Sequence, residues 1–420
     1  MWTKIKTLFT DKKIRNRILF VVLIFALFRL LAAIPIPGID TTKLAAFLAN
    51  NQFLGILNIF SGGGLSKLSV IMLGVGPFIT ASIIMQLLTI MVPSLKSMYH
   101  EEGEIGRKKF TQYSRILTIP LALLQGFGLM VLLERAGILT HLSGITLVTA
   151  LSVVVAGSIL LMWLGELMTE FGIGNGISMI IFAGIVAGIP TEIGRLLFTY
   201  TPSQIPLYIV FVLVGLLLIA GVVAVTEAER PIPVTYAKQV RGMKVYGGTS
   251  TYVPIRINQA GVMPIIFALS LLLFPQLIGN LIIGAKSGII SSIGHALVNF
   301  SHTTWLYVSV YFVLVVLFTY FYTAVTFDPH AMATNLQKNG AFVPGVRPGN
   351  ETEKYIGNIV TRITLVGALF LGVVAVLPMI VQAATGITAI AIGGTALLIV
   401  VSVVLDLIKK LDAQLSMREY

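Results

Sequence analysis

The sequence contains no cysteine. Disulfides, thiolate nucleophiles and cysteine-bound metals are excluded with it. Charge is scarce as well. Only 11% of the 420 residues are Asp, Glu, Lys or Arg, against about 25% in an ordinary soluble domain. Acidic residues are the rarer sign, 17 against 29 Lys and Arg. No acidic residue falls in the middle of a long apolar run; Glu166 and Glu170 stand at the end of one. Carboxylates at mid-membrane depth mark ion and proton pathways, and an ion-coupled transporter without one would be unusual. No Ser/His/Asp constellation is readable. His100, His141, His295, His302 and His330 are scattered without metal-ligand spacing. The expectation is a protein that is not an enzyme and carries no cofactor or metal.

What the chain has is apolar length. Hydrophobic residues make up 56% of it, and runs of 18 or more recur throughout, the mark of a polytopic helical membrane protein. Ten spans are expected, at about 18–34, 68–92, 116–133, 146–168, 176–195, 205–225, 259–282, 304–326, 356–381 and 388–408. The basic residues are distributed unequally. Segments on one side of these spans hold 22 of the 29 Lys and Arg, the other side holds 5, and Arg29 and Arg362 lie within spans. The positive-inside bias then places both termini in the cytoplasm. The first span follows a basic segment and leads into "AAIPIPGID", which reads as a helix end rather than a signal-peptide cleavage site. Arg29 and Arg362 lie near span ends, where snorkelling to an interface suffices for each. Ten spans divide as five and five, and an odd number per half gives the halves opposite orientations. The expected division is 1–204 and 205–420.

Two long cytoplasmic segments, 226–258 and 327–355, are basic and rich in Gly and Pro but also carry apolar residues, which favours order and docking. Alternation around Val245 and Tyr252 predicts a hairpin. The stretch "IFSGGGLSKLS" (Ile59–Ser69) poses a different problem. It lacks the G-x-x-x-x-G-K-[ST] spacing of a phosphate loop. The apolar run before it, Phe53–Phe60, is too short to cross a bilayer. Backbone that re-enters a membrane is tolerated only against protein or a water-filled cavity. Either a fixed re-entrant helix or a movable stopper hinged at Gly62–Gly64 satisfies that condition. Gly74, Gly76 and Pro77 in span 2, and Pro264 and Pro275 in span 7, interrupt helix regularity. "GIGNG" (Gly172–Gly176) reads as a tight turn between spans.

Eight motifs in order carry a family likeness: "IPIPGID" (Ile34–Asp40), "FSGGGLSKLS" (Phe60–Ser69), "ASIIMQLL" (Ala81–Leu88), "EEGEIGRKKFTQYSR" (Glu101–Arg115), "GIGNGIS" (Gly172–Ser178), "NQAGVMPIIFA" (Asn258–Ala268), "GAFVPGVRPG" (Gly340–Gly349) and "GGTALLIVV" (Gly393–Val401). Together they resemble the SecY family (SecY/Sec61-alpha), the channel subunits of the protein translocase. The resemblance implies an all-α polytopic fold: ten transmembrane helices in two pseudo-symmetric inverted halves of five around a central hourglass pore. It implies a pore ring of Val75, Ile79, Ile181, Ile185, Ile266 and Ile399, all near mid-depth in the span map. It implies a plug helix at about Leu54–Leu65, with Leu54, Ile56, Leu57 and Ile59 on it and Gly62, Gly63 and Gly64 as hinge. A lateral gate between spans 2 and 3 and spans 7 and 8 would use Thr80, Gln125 and Asn258. Lys238, Lys244 and Arg347 match docking positions for the SecA motor and the ribosome. The implied function is passage of unfolded secretory chains and lateral release of apolar helices into membrane lipid. SecE, SecG, SecA, the ribosome and signal peptides are the implied partners, at the bacterial cytoplasmic (inner) membrane. Val75 stands where isoleucine is common, and the third glycine where alanine occurs. A small-solute secondary transporter with inverted repeats is the alternative, and it predicts polar groups at mid-depth that the sequence lacks.

Overall fold

The computed structural model describes residues 11–36, 44, 57–58, 61–139, 144–198, 205–236, 239–241, 244–246, 250–283, 288–302, 304–385 and 388–416. A helix lies on each of the ten expected spans. They are α1 (Lys12–Ala33), α2 (Gly76–Met91), α4 (Gly103–Arg135), α5 (Gly144–Phe171), α6 (Gly176–Phe198), α7 (Ile205–Glu227), α8 (Met263–Ile282), α10 (Thr304–Thr326), α12 (Asn350–Thr385) and α13 (Thr388–Ser416). Shorter helices are α3 (Pro93–His100), α9 (Gly288–His302) and α11 (Pro329–Lys338). Six described helices are long and apolar enough to cross a membrane, and the bent pair α2–α3 would make a seventh. This is a multi-pass helical membrane protein.

Span 2 differs from its expected limits. Its helix starts at Gly76, and residues 61–75 are turns. Pro77 occupies the first helical turn, where its missing N–H costs nothing. Gly74 has φ +60°, outside helical geometry. Gly74 and Pro77 therefore launch the helix rather than interrupt it. At the other end Val92 is extended before Pro93, as the residue preceding a proline prefers. The chain bends 113° there into α3.

The chain groups into two compact units, one of 1–213, 269–307 and 378–420, the other of 214–268 and 308–377. The expected boundary at 204/205 divides the span order, which packing does not test. In the first unit α4 packs on α2, α3 and α5, α5 on α1 and α6, and α6 on α13. Its core joins Leu57, Leu65, Leu68, Met72 and Leu73 to Leu129 and Leu133 of α4, Val154 of α5 and Leu277 of α8. Glycine permits close approach: a Cβ at Gly157 of α5 would overlap the Val70 carbonyl. Arg115 of α4 and Glu166 of α5 close that pair of helices with a 2.7 Å ion pair.

The second unit adds a small sheet outside the spans. β1 (Glu229–Tyr236) pairs antiparallel with β4 (Ser250–Arg256), in a register running from Glu229↔Arg256 to Thr235↔Ser250. Between them β2 (Gln239–Arg241) and β3 (Lys244–Tyr246) form a short hairpin with Val240 opposite Val245. The expected hairpin is present. The second long segment contributes β5 (Ala341–Phe342) to the other edge of β1, so the two segments share one sheet. Period-two alternation buries Ile232, Val234 and Ile255. They form a satellite core with Ala341, Val343, Ile356 and Val360, against which Met332 and Leu336 of α11 pack.

Candidate functional site

The three glycines are built into a tightly held turn. Gly62 and Gly63 have φ of +64° and +82°, where a side chain costs about 1–2 kcal/mol. Gly62 is also crowded: a Cβ there would overlap the Phe28 ring and stand 3.0 Å from the Gly184 backbone. Gly64 has no room either, with the Ser69 hydroxyl at 2.9 Å and the Ile71 and Ser61 carbonyls at 3.0 Å from an added Cβ. Polar side chains lock the loop. Asn58 Oδ1 accepts from the Ser66 amide at 2.9 Å, and Ser61 Oγ accepts from the Leu65 amide at 3.0 Å. The Ile36 amide donates to the Leu68 carbonyl and the Val70 amide to the Ile34 carbonyl, a short antiparallel bridge. Non-helical backbone at such a site is sustained because it is buried in protein.

Arg29, expected to snorkel, does something else: its guanidinium Nη1 donates to the Gly62 carbonyl at 3.3 Å. Phe28 and Arg29 together hold the glycine turn against α1. Spacing did not reveal this, because the partners lie 33 residues apart. The run of Asn58, Ser61 and Ser66 around the glycines was the available sign, since such residues fix turns through their side chains.

All six expected ring residues are buried. Val75, Ile79, Ile181, Ile185 and Ile399 belong to the first unit and Ile266 to the second. Ile185 follows Gly184, which meets the glycine turn, and Ile399 lies on α13, which packs against α6. Of the plug residues, Leu57 is helical and buried; Leu54, Ile56 and Ile59 lie outside the described residues.

Thr80 and Gln125 are brought together. Both are buried, and Gln125 Nε2 donates to Thr80 Oγ1 at 3.4 Å, while Thr80 donates to the Gly76 carbonyl at 3.0 Å. Asn258, in the second unit, donates to the Gly261 carbonyl at 3.2 Å, and its buried Oδ1 has no partner among the described residues. Arg347 is exposed on the loop after β5, its carbonyl accepting from Thr352 Oγ1 at 2.9 Å. Lys244 lies on β3, and Lys238 is outside the described residues. Nearby, exposed His330 of α11 pairs with Glu353 of α12 at 2.8 Å. That hydrogen bond and the Glu353 charge raise the imidazole pKa above its ordinary 6.5.

Long apolar helices packed around a buried glycine turn define a multi-pass α-helical membrane protein. The comparisons with known proteins narrow that class. A profile of the SecY family matches residues 69–408. A protein translocase subunit SecY of Thermus thermophilus is 44% identical over 425 residues, covering 97% of this chain and 94% of that protein. A protein of the same name from Mycobacterium bovis is 42% identical over 430 residues, covering 97% and 96%. Among solved structures, one described as a protein conducting channel aligns with a TM-score of 0.64 at 21% identity, covering 94% of this chain and 91% of that one. Sec61 in the canine ribosome–channel complex aligns at 0.60 and 19%, with the same coverage. The chain belongs to the SecY family.

Proposed function

We propose that this chain is the protein-conducting channel of a translocase, passing unfolded secretory polypeptides across the bacterial cytoplasmic membrane and releasing apolar helices sideways into lipid. The observation that carries this reading is full-length kinship with translocase subunits at more than 40% identity. The chemistry supports it. A ring of aliphatic side chains (Val75, Ile79, Ile181, Ile185, Ile266, Ile399) gates water and ions by dewetting and binds no passing side chain. Around it we place two inverted halves of five spans, 1–204 and 205–420, with both termini cytoplasmic. The segment at about 54–65 serves as plug and Gly62–Gly64 as the turn that seats it. Thr80, Gln125 and Asn258 form the polar part of a lateral gate. Interhelical hydrogen bonds in membranes contribute only about 0.6–2 kcal/mol each, so such a gate closes marginally and opens for an apolar segment. The chain supplies no catalysis. SecA, the ribosome, SecE and SecG are its partners, the first two meeting the sheet side through Lys238, Lys244 and Arg347.

Reconstitution with SecE and SecA tests this reading. ATP-dependent import of a secretory precursor into vesicles is the expected result. Vesicles that instead move a small solute and never the precursor would favour a secondary transporter.

A further inference from the structure

The end of α4 makes a contact that the expected gate residues do not include. Arg135, in the last turn of α4, donates from Nη1 to the backbone carbonyl of Asn280 at 2.6 Å. Asn280 is in the last turn of α8, where carbonyls have no intrahelical partner and a cation is favoured by the helix dipole. The contact closes a longer seam. A Cβ at Gly128 of α4 would lie 3.6 Å from Leu277 and 3.8 Å from Leu281, both on α8. Gln125, Gly128 and Arg135 follow helical spacing, so they share one face of α4. The seam is thus flat and apolar beside Gly128 and closed by a charge-assisted hydrogen bond at its far end.

The α8 side is under tension of another kind. Gln276 and Asn280, one turn apart, are both buried. Gln276 Oε1 and Asn280 Nδ2 have no hydrogen-bond partner among the described residues. Buried amides without partners favour any state in which water reaches them. The end of α8 therefore combines one charge-assisted bond from α4 with two buried amides that lack partners among the described residues.

We propose that Arg135 is a positioning residue of the lateral gate, the latch that holds the end of α4 to the C-terminal turn of α8. This rests on the gate reading above, in which spans 3 and 7 part. Removing the latch should shift the resting seam toward its open form.

The native chain lacks cysteine, so a Gly128→Cys/Leu281→Cys pair in the full chain, assembled with its partner subunits in vesicles, reports the seam alone. Arg135→Ala should slow oxidative crosslinking of that pair roughly threefold to thirtyfold, the range of one interhelical hydrogen bond in a membrane. Arg135→Lys, which can still donate to a carbonyl, should remain closer to the parent. Arg135→Gln carries the same test, with a smaller drop, if the alanine variant does not assemble. Release of an apolar test segment into lipid should rise in the reverse order. Unchanged crosslinking in both the alanine and glutamine variants overturns the latch. Slowed crosslinking with unchanged lipid release leaves the latch standing and overturns the gate reading instead.

Discussion

Gly62 shows how much one position can be asked to do. Its left-handed backbone, the Phe28 ring and the Gly184 backbone each exclude a side chain, and its carbonyl accepts from Arg29. Gly63 shares only the first of these constraints, having nothing nearer than Ser66 Oγ at 4.0 Å from an added Cβ. The two substitutions should therefore separate. Gly63→Ala is expected to destabilise by about 1–2 kcal/mol, the cost of left-handed backbone. Gly62→Ala adds overpacking of about 1–3 kcal/mol. Thermal unfolding of the purified protein in detergent checks the ranking, and equal losses would refute the crowding argument. The glycine run itself was visible in the sequence, and so was the need for unusual backbone. The reason for each glycine was not, because Phe28 and Gly184 come from distant spans. Arg29 looked like an interfacial anchor for the same reason.

At the scale of elements, apolar length announced the helices, and alternation around Val245 and Tyr252 announced strands that prove to be β3 and β4, paired with β2 and β1. The strand β5 could not be read. Ala341 and Phe342 are two residues, too few to show a period, and they pair with β1 only because α11 and α12 pack beneath the same sheet. The start of α2 was misplaced because hydropathy continues through residues 68–75, while Gly74 and Pro77 decide where the helix begins. The His330–Glu353 pair ties α11 to the first turn of α12. Its pKa is raised in the folded protein, so its stabilisation is present in full below the unfolded value near 6.5 and fades as pH rises through the higher folded value. Hydrogen exchange of α11, corrected for intrinsic rates, should accelerate modestly between pH 6 and 8. Glu353→Gln should weaken that dependence, leaving only the smaller pull of the Asp328 charge and a neutral acceptor, and an equal dependence in the variant would remove the pair from the account.

Over the whole molecule, the chemistry missing from the sequence matters as much as what is present. An ion-coupled transporter needs charged groups at mid-depth; among the described residues the buried polar side chains are neutral, Thr80, Gln125, Gln276 and Asn280 among them, and no Asp, Glu, Lys or Arg is buried. Kinship with translocase subunits runs through nearly all of the chain, so the family was legible once the motifs were taken together. Helix-to-helix details such as Arg135 on the Asn280 carbonyl required coordinates. The central claim is that a polypeptide passes through this chain past the aliphatic ring. Single cysteines at Ile185 and Ile266, in a protein with no native cysteine, test it most directly when a secretory precursor is stalled during import. Both positions should crosslink to the stalled chain. If neither reacts while a cysteine at the exposed sheet residue Tyr252 does, the polypeptide touches the protein without passing the ring, and the channel account is contradicted.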